Sequence, residues 1–250
     1  MYRDEVVART YRAAMRVSEA LAPGRLPQGE RVYAVGDVHG CANRLRALHG
    51  LIAADMVARP VATPFLVHLG DYVDRGEDSR GAVQALLAAP PGLTAVHLMG
   101  NHEQMMLAAL SPAAPDSVRR LWLENGGTET LLSYGLPPHA PARWADLEAD
   151  HAALLAELPD RFARGGYLFV HAGIRPGIAI EAQTTQDLLW IREPFLAWHG
   201  PLPAVVVHGH TPVATPEVLP QRIAIDTGAV FGGDLTCAVL EADRISFLVA

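Results

Sequence analysis

Short apolar runs rich in Val, Ile, Leu, Phe and Tyr recur along the chain, and most end in polar residues plus glycine, as buried strands do where they stop at turns. They are RVYAVGD at 31–37, FLVHLGD at 65–71, TAVHLMGN at 94–101, YLFVHAG at 167–173, AVVVHGH at 204–210 and RIAIDTG at 222–228. Between the early runs the spacing becomes helical, in ANRLRALHGLIAADMVA at 42–58 and SRGAVQALLAA at 79–89. This alternation predicts an α/β protein. The last stretch, LTCAVLEADRISFLVA, places two apolar runs around the polar turn EADR and predicts an antiparallel hairpin, so the sheets are expected to be mixed.

Two stretches depart from that rhythm. In residues 1–28, Val7, Tyr11 and Met15 recur every four positions, which predicts an amphipathic N-terminal helix packed on the domain. Residues 111–165 carry proline-rich joints, SPAAPDS and YGLPPHAPARW, around helical segments bearing Trp122 and Trp144. They read as a helical cap inserted over a site or as a helical connection, too short for a core of its own, so residues 1–250 are expected to form a single domain.

Charge and cysteine content narrow the function classes. A formal net charge of −7 argues against a dedicated nucleic-acid or membrane-surface protein, since both use basic patches to capture phosphates. Cys41 and Cys237 give neither a disulfide framework nor a paired metal-ligand spacing. The N-terminus is charged throughout and no run approaches membrane-spanning length, so a cytoplasmic protein with free thiols is expected.

The chemistry collects where the strands end. Asp37 and His39 follow the first run, Asp71, Asp74 and Arg75 the second, and Asn101, His102 and Glu103 the third; His171 follows the fourth, and His208 and His210 end the fifth. Open α/β sheets bind ligands beyond the carboxyl ends of their strands, where residues distant in sequence converge. Carboxylates, imidazoles and one carboxamide without thiolate suit divalent Mn, Fe or Zn, and two such ions about 3.5–4 Å apart could share one carboxylate, with Asp71 the natural bridge. Singly, each motif has a plainer reading: GDVHG as a helix-capping turn, GNHE as a turn with Glu103 in a helix's first turn, FVHAG as a buried histidine. Five of them in order, each at a strand end, outweigh those readings.

Together GDVHG, GDYVDRG, GNHE, VHAG and GHT resemble the signature of the phosphoprotein phosphatase branch of the calcineurin-like metallophosphoesterases, over roughly residues 31–240. ENGGTETLLSYG and IDTGAVFGGDLT look most like compact bacterial serine/threonine protein phosphatases. The resemblance implies a four-layer sandwich, two mixed β-sheets flanked by helices, with a dimetal site at the strand ends. It implies that Asp37 and His39 bind one ion, that Asp71 bridges, and that Asn101, His171 and His210 bind the other; the histidine directly before Thr211 is chosen over His208. Two ions, Mn²⁺ with Fe or Zn as alternatives, would then generate a bridging hydroxide that attacks phosphorus in line, without a phosphoenzyme. Arg75, and Arg192 in DLLWIREPF, would hold the phosphate, His102 would protonate the leaving group, and Asp74 would orient His102.

The expected substrates are phosphoserine and phosphothreonine in proteins. The alternative is a symmetrical bis(5'-nucleosyl)-tetraphosphatase or RNA cap hydrolase, a branch that shares GDVHGC, FVHAGI and the DTG stretch but usually lacks the aspartate found here as Asp74. A catalytically silent binding module is a remote third, disfavoured because no expected ligand is missing. No stable nucleic-acid partner and no membrane partner are expected. Asn43 stands where related bacterial chains often carry aspartate. His68 and His97 are expected in the core or beside the ligands, and His49, His139, His151 and His199 in solvent, while Asp226 either orients a ligand or shapes its turn.

Overall fold

The computed structural model describes residues 17–250. Its strands are β1 (Val17–Leu21), β2 (Glu30–Val35), β3 (Thr63–His68), β4 (Thr94–His97), β5 (Arg161–Arg164), β6 (Tyr167–Val170), β7 (Val205–His208), β8 (Glu217–Val218), β9 (Arg222–Ala224), β10 (Thr236–Glu241) and β11 (Arg244–Val249). Its α-helices are α1 (Ala42–Ala58), α2 (Ser79–Leu87), α3 (Asn101–Leu110), α4 (Asp116–Trp122), α5 (Thr128–Ser133), α6 (Ala149–Ala156) and α7 (Thr185–Trp190). One sheet runs β1-β11-β10-β2-β3-β4 and the other β5-β6-β7-β9-β8. Both are mixed: β2, β3 and β4 are parallel, as are β6, β7 and β9, while the flanking pairs are antiparallel.

The strands are apolar on both faces because both faces are covered. Successive side chains point to opposite sides, so Val32 and Ala34 enter the core between the sheets with Tyr167, Phe169 and Val207, while Tyr33 and Val35 face the helices with Leu45, Leu48 and Ile52. Leu168, Val170 and Val206 turn to the opposite outer layer, against Leu188 and Phe195. The layers are therefore helix, sheet, sheet, helix. Register aligns the parallel strand ends, pairing Val35 with His68 and His68 with His97, so the turns leaving these strands all emerge at one edge.

The N-terminal expectation needs correction. Val7, Tyr11 and Met15 lie outside the described residues, but Val17–Leu21 is a strand paired antiparallel with β11. The pairing at Val17–Leu21 covers the open backbone edge of β11. The proline-jointed stretch is helical in α4, α5 and α6, but Trp122, Leu131, Trp144 and Leu155 share one core with Leu45, Leu86 and Met106, and the stretch ends in β5.

His139 and His199 are exposed as expected, but His49 and His151 are buried. His151 is saturated by Tyr134 Oη at 2.8 Å and Gln84 Oε1 at 3.3 Å. His49 on α1 meets His68 Nε2 at 2.9 Å, and His97 meets His68 Nδ1 at 3.0 Å, a row of three imidazoles joining the helix layer to two adjacent strands. Hydrogen bonds between the rings offset the cost of burying them, which the helical spacing could not reveal.

Burial pushes His49 and His97 down to about 4 and His68 well below its ordinary value, and the charges acting on the row are those of its own members. The unfolded chain therefore takes up protons first, near pH 6.5, and stability is lost as pH falls from there toward 4. For one group shifted from 6.5 to about 4, the linkage is on the order of 3 kcal/mol. Urea unfolding from pH 4 to 7 should show stability rising with pH, with a shallower slope in His49→Gln/His97→Gln; an unchanged slope would contradict the role of the row.

Candidate active site

The edge where β2, β3, β4, β6 and β7 end carries an unusual density of backbone strain. Among the described residues, the non-glycine residues with positive φ are His39 (42°), Asp71 (53°), Asp74 (72°), Arg75 (69°), His210 (63°) and Ala242 (48°), and all but Ala242 lie at this edge. Side chains in that region cost energy and persist where the surroundings fix them. At the Asp71 turn Glu103 does the fixing. Its buried carboxylate accepts from Asp71 N (2.8 Å) and Gly100 N (3.0 Å) on one oxygen, and from Tyr72 N (2.7 Å) and Val73 N (3.1 Å) on the other.

Asp71 is the hub. His171 Nε2 lies 3.3 Å from its Oδ1, His39 Nε2 3.4 Å and His102 Nε2 4.0 Å from its Oδ2, and His102 N donates to Oδ1 at 3.0 Å. Two sets of potential ligand atoms, each within 4.8 Å of one another, share this carboxylate: His39, Asp71 and His102, and Asp71, His171 and His210. Asn101 Oδ1 joins the second, 2.8 Å from His171 Nε2 and 2.9 Å from His210 Nδ1. Asp37 lines the same cavity but stands outside both sets, its carboxylate accepting from His210 N at 3.0 Å.

These residues fit divalent ions. His39 Nδ1 donates to Val73 O and His171 Nδ1 to Leu69 O, both at 2.9 Å, which orients each ring with its Nε2 turned inward toward Asp71. The donor atoms are oxygen and imidazole nitrogen, suited to Mn, Fe or Zn. Burial alone would raise the Asp71 carboxyl, but His171, His102 and His39 outweigh it and hold Asp71 well below its ordinary range. Burial works against charge on His171 as well, yet Asp71, its hydrogen bond and Asp37 raise it to about 10.

A cavity of about 190 Å³ opens beside the hub, lined by Asp37, His39, Arg75, Arg192, His210 and Asp226. Arg75 reaches His39 Nε2 at 2.5 Å, and its guanidinium lies 5.8 Å from the Phe231 ring centre. Arg192 has no ion pair among the described residues, and nearby Asp187 is taken by Arg175 at 2.6 Å. His208 is buried against Phe195, outside both ligand sets. Asp226 accepts from Gly228 N at 3.0 Å, so it shapes its turn, and it also faces the cavity.

His102 Nδ1 is 2.7 Å from Asp74 Oδ2, with Nε2 turned toward Asp71. Burial pushes Asp74 up to about 8, against the hydrogen bonds of Thr130 and Trp122, and pushes His102 down to about 4. Burial thus disfavours charge on both members of the pair. No motif pointed to Trp122 and Thr130 at this carboxylate; ENGGTET, with Gly126 at φ 105° against the Arg75 backbone, marks where their segment approaches.

The chain resembles known proteins over most of its length. The model of the calcineurin-like phosphoesterase family matches residues 30–250. Serine/threonine-protein phosphatase 1 of Salmonella typhimurium is 33% identical over 231 residues, covering 84% of this chain and 92% of that relative. The asymmetrical bis(5'-nucleosyl)-tetraphosphatase PrpE of Bacillus velezensis is 29% identical over 227 residues, covering 81% and 86%. A solved structure provisionally described as a diadenosine tetraphosphatase superposes with a TM-score of 0.63 at 25% identity, covering 88% of this chain and 93% of that one. The chain belongs to the calcineurin-like phosphoesterases, a family of hydrolases built around a dinuclear metal site.

Proposed function

We propose that the chain removes phosphate from phosphoserine and phosphothreonine side chains of proteins. The observation that carries this reading is the His102–Asp74 pair at 2.7 Å, with His102 Nε2 turned toward Asp71 beside a cavity that holds Arg75 and Arg192. Alkoxides of serine and threonine are poor leaving groups and need a proton donor at the departing oxygen. Likeness to the Salmonella phosphatase supports the same substrate class.

Asp37, His39 and Asp71 would hold one divalent ion, and Asp71, Asn101, His171 and His210 the other, with Mn²⁺ our choice of metal. When bound, the pair supplies Lewis acidity toward the phosphoryl oxygens and a water acidic enough to react near neutral pH. The chain's own work is positional. Arg75 and Arg192 present planar guanidinium forks to a doubly anionic phosphoryl group. His102 Nε2 delivers its proton to the leaving oxygen as the phosphorus–oxygen bond breaks, and Asp74 keeps the ring aimed. The free thiols Cys41 and Cys237 are in keeping with a cytoplasmic setting.

A second reading, hydrolysis of dinucleoside tetraphosphates, draws support from the names of the tetraphosphatase relatives, which match over four fifths of the chain. Rates on a phosphothreonine peptide and on diadenosine tetraphosphate, measured side by side with Mn²⁺, separate the two. The first reading expects the peptide to have the higher kcat/KM, and strong preference for the dinucleotide overturns it. In the same assay Arg192→Ala should lower kcat/KM by about 10- to 100-fold, as loss of a charged hydrogen bond worth about 1.5–3 kcal/mol requires. Unchanged kinetics would remove Arg192 from the phosphate site.

A further inference from the structure

The carboxylate of Asp74 is held far more tightly than its partnership with His102 requires. Trp122 Nε1 donates to both of its oxygens, at 3.0 and 3.1 Å. Thr130 Oγ1 donates to Oδ1 at 2.7 Å and accepts from the backbone amide of the same Asp74 at 2.8 Å. One hydroxyl thus chelates the side chain and main chain of a residue in the left-handed region, at φ 72°. Ser79 Oγ completes the arrangement, 3.1 Å from Asp74 N and 3.0 Å from Thr130 Oγ1. Asp74, Ser79, Trp122 and Thr130 are all fully buried.

The segment is shaped to bring these donors in. A kink at Leu123–Gly127, with Gly126 in the left-handed region, joins α4 to α5 and so sets Trp122 and Thr130 on either side of Asp74. Gly126 O accepts from Arg75 N at 3.2 Å, and any side chain at Gly126 would strike the Arg75 backbone. Gly127 lies against the Trp122 ring, whose other contacts include Trp144 at 5.5 Å in an edge-to-face arrangement.

We propose that Trp122 and Thr130 are positioning residues for proton transfer, so that the helical segment beside the site fixes Asp74, and through it aims His102 Nε2 at the leaving oxygen. This rests on the reading of His102 as the proton donor. It assigns to the α4–α5 segment a task in the chemistry. With Thr130 and Trp122 occupying its other lone pairs, the Asp74 carboxylate has one orientation left, in which Oδ2 receives His102 Nδ1–H. Loosening it lets the imidazole swing, and the proton is then misplaced when the phosphorus–oxygen bond breaks.

Leaving-group dependence tests the proposal. A phosphothreonine peptide releases an alkoxide that must be protonated, whereas p-nitrophenyl phosphate releases a stabilised phenolate that leaves unaided. In manganese-loaded enzyme, Thr130→Val, which keeps the shape and removes the hydroxyl, should lower kcat on the peptide by about tenfold, a fraction of the ~10²–10⁴ that general acids contribute. On the aryl ester the loss should stay within about twofold, since little of that contribution is called upon. Thr130→Ser should recover the wild-type ratio of the two rates, and Trp122→Phe should follow Thr130→Val. Thermal melting identifies variants that are merely unfolded, and Thr130→Val with its serine counterpart keeps the test open if Trp122→Phe does not fold. Equal losses on both substrates, or no loss on either, in folded Thr130→Val overturns the proposal. His102→Asn serves as the reference: if it shows no leaving-group dependence, the proton-donor reading itself fails.

Discussion

Four backbone amides converge on the carboxylate of Glu103, and the working edge of the molecule depends on that convergence. A turn that places Asp71, Asp74 and Arg75 in left-handed backbone would relax if its amides were left to find other partners. Glu103 occupies the first turn of α3, so the helix that presents Asn101 and His102 also pins the turn that presents Asp71. Parallel strands of matched register bring these two pieces together, and the apolar layers on both faces keep the strands in place. Fold and site are thus joined through one buried side chain.

The charges assembled there are unfavourable by themselves. Asp37, Asp71, Asp74 and Asp226 are buried side by side, and burial together with Asp226 pushes Asp37 well above its ordinary value. Buried charges of one sign persist only where opposite charge compensates them. Imidazoles offset part of that charge around Asp71, and two divalent ions would supply the rest. The hydrogen-bonded Asp74–His102 pair borders them, with the Asp74 carboxylate held by Trp122 and Thr130.

Much of this could be read from the sequence because the chain announces its strand ends. Apolar runs closing in GDVHG, LGDYVDRG, MGNHE, VHAG and HGHT revealed both the alternation of the fold and the residues that converge. The features that stayed hidden depend on long-range packing. An edge strand at Val17–Leu21 is decided by β11, more than two hundred residues away, and not by its own pattern. His49 and His151 looked solvated because helical spacing does not tell which polar side chains find buried partners. Trp122 and Thr130 reach Asp74 across a helix kink that no local propensity foretells, although the paired glycines of ENGGTET mark the close approach.

If two ions share the Asp71 carboxylate, both depend on it. Isothermal titration of metal-free protein with Mn²⁺, read as ions bound per chain, tests this independently of turnover. Two ions are expected for the wild-type chain and, for folded Asp71→Asn, weakening of both sites together. An Asp71→Asn protein that still binds two ions with wild-type affinity, or that loses one site and leaves the other untouched, would contradict it.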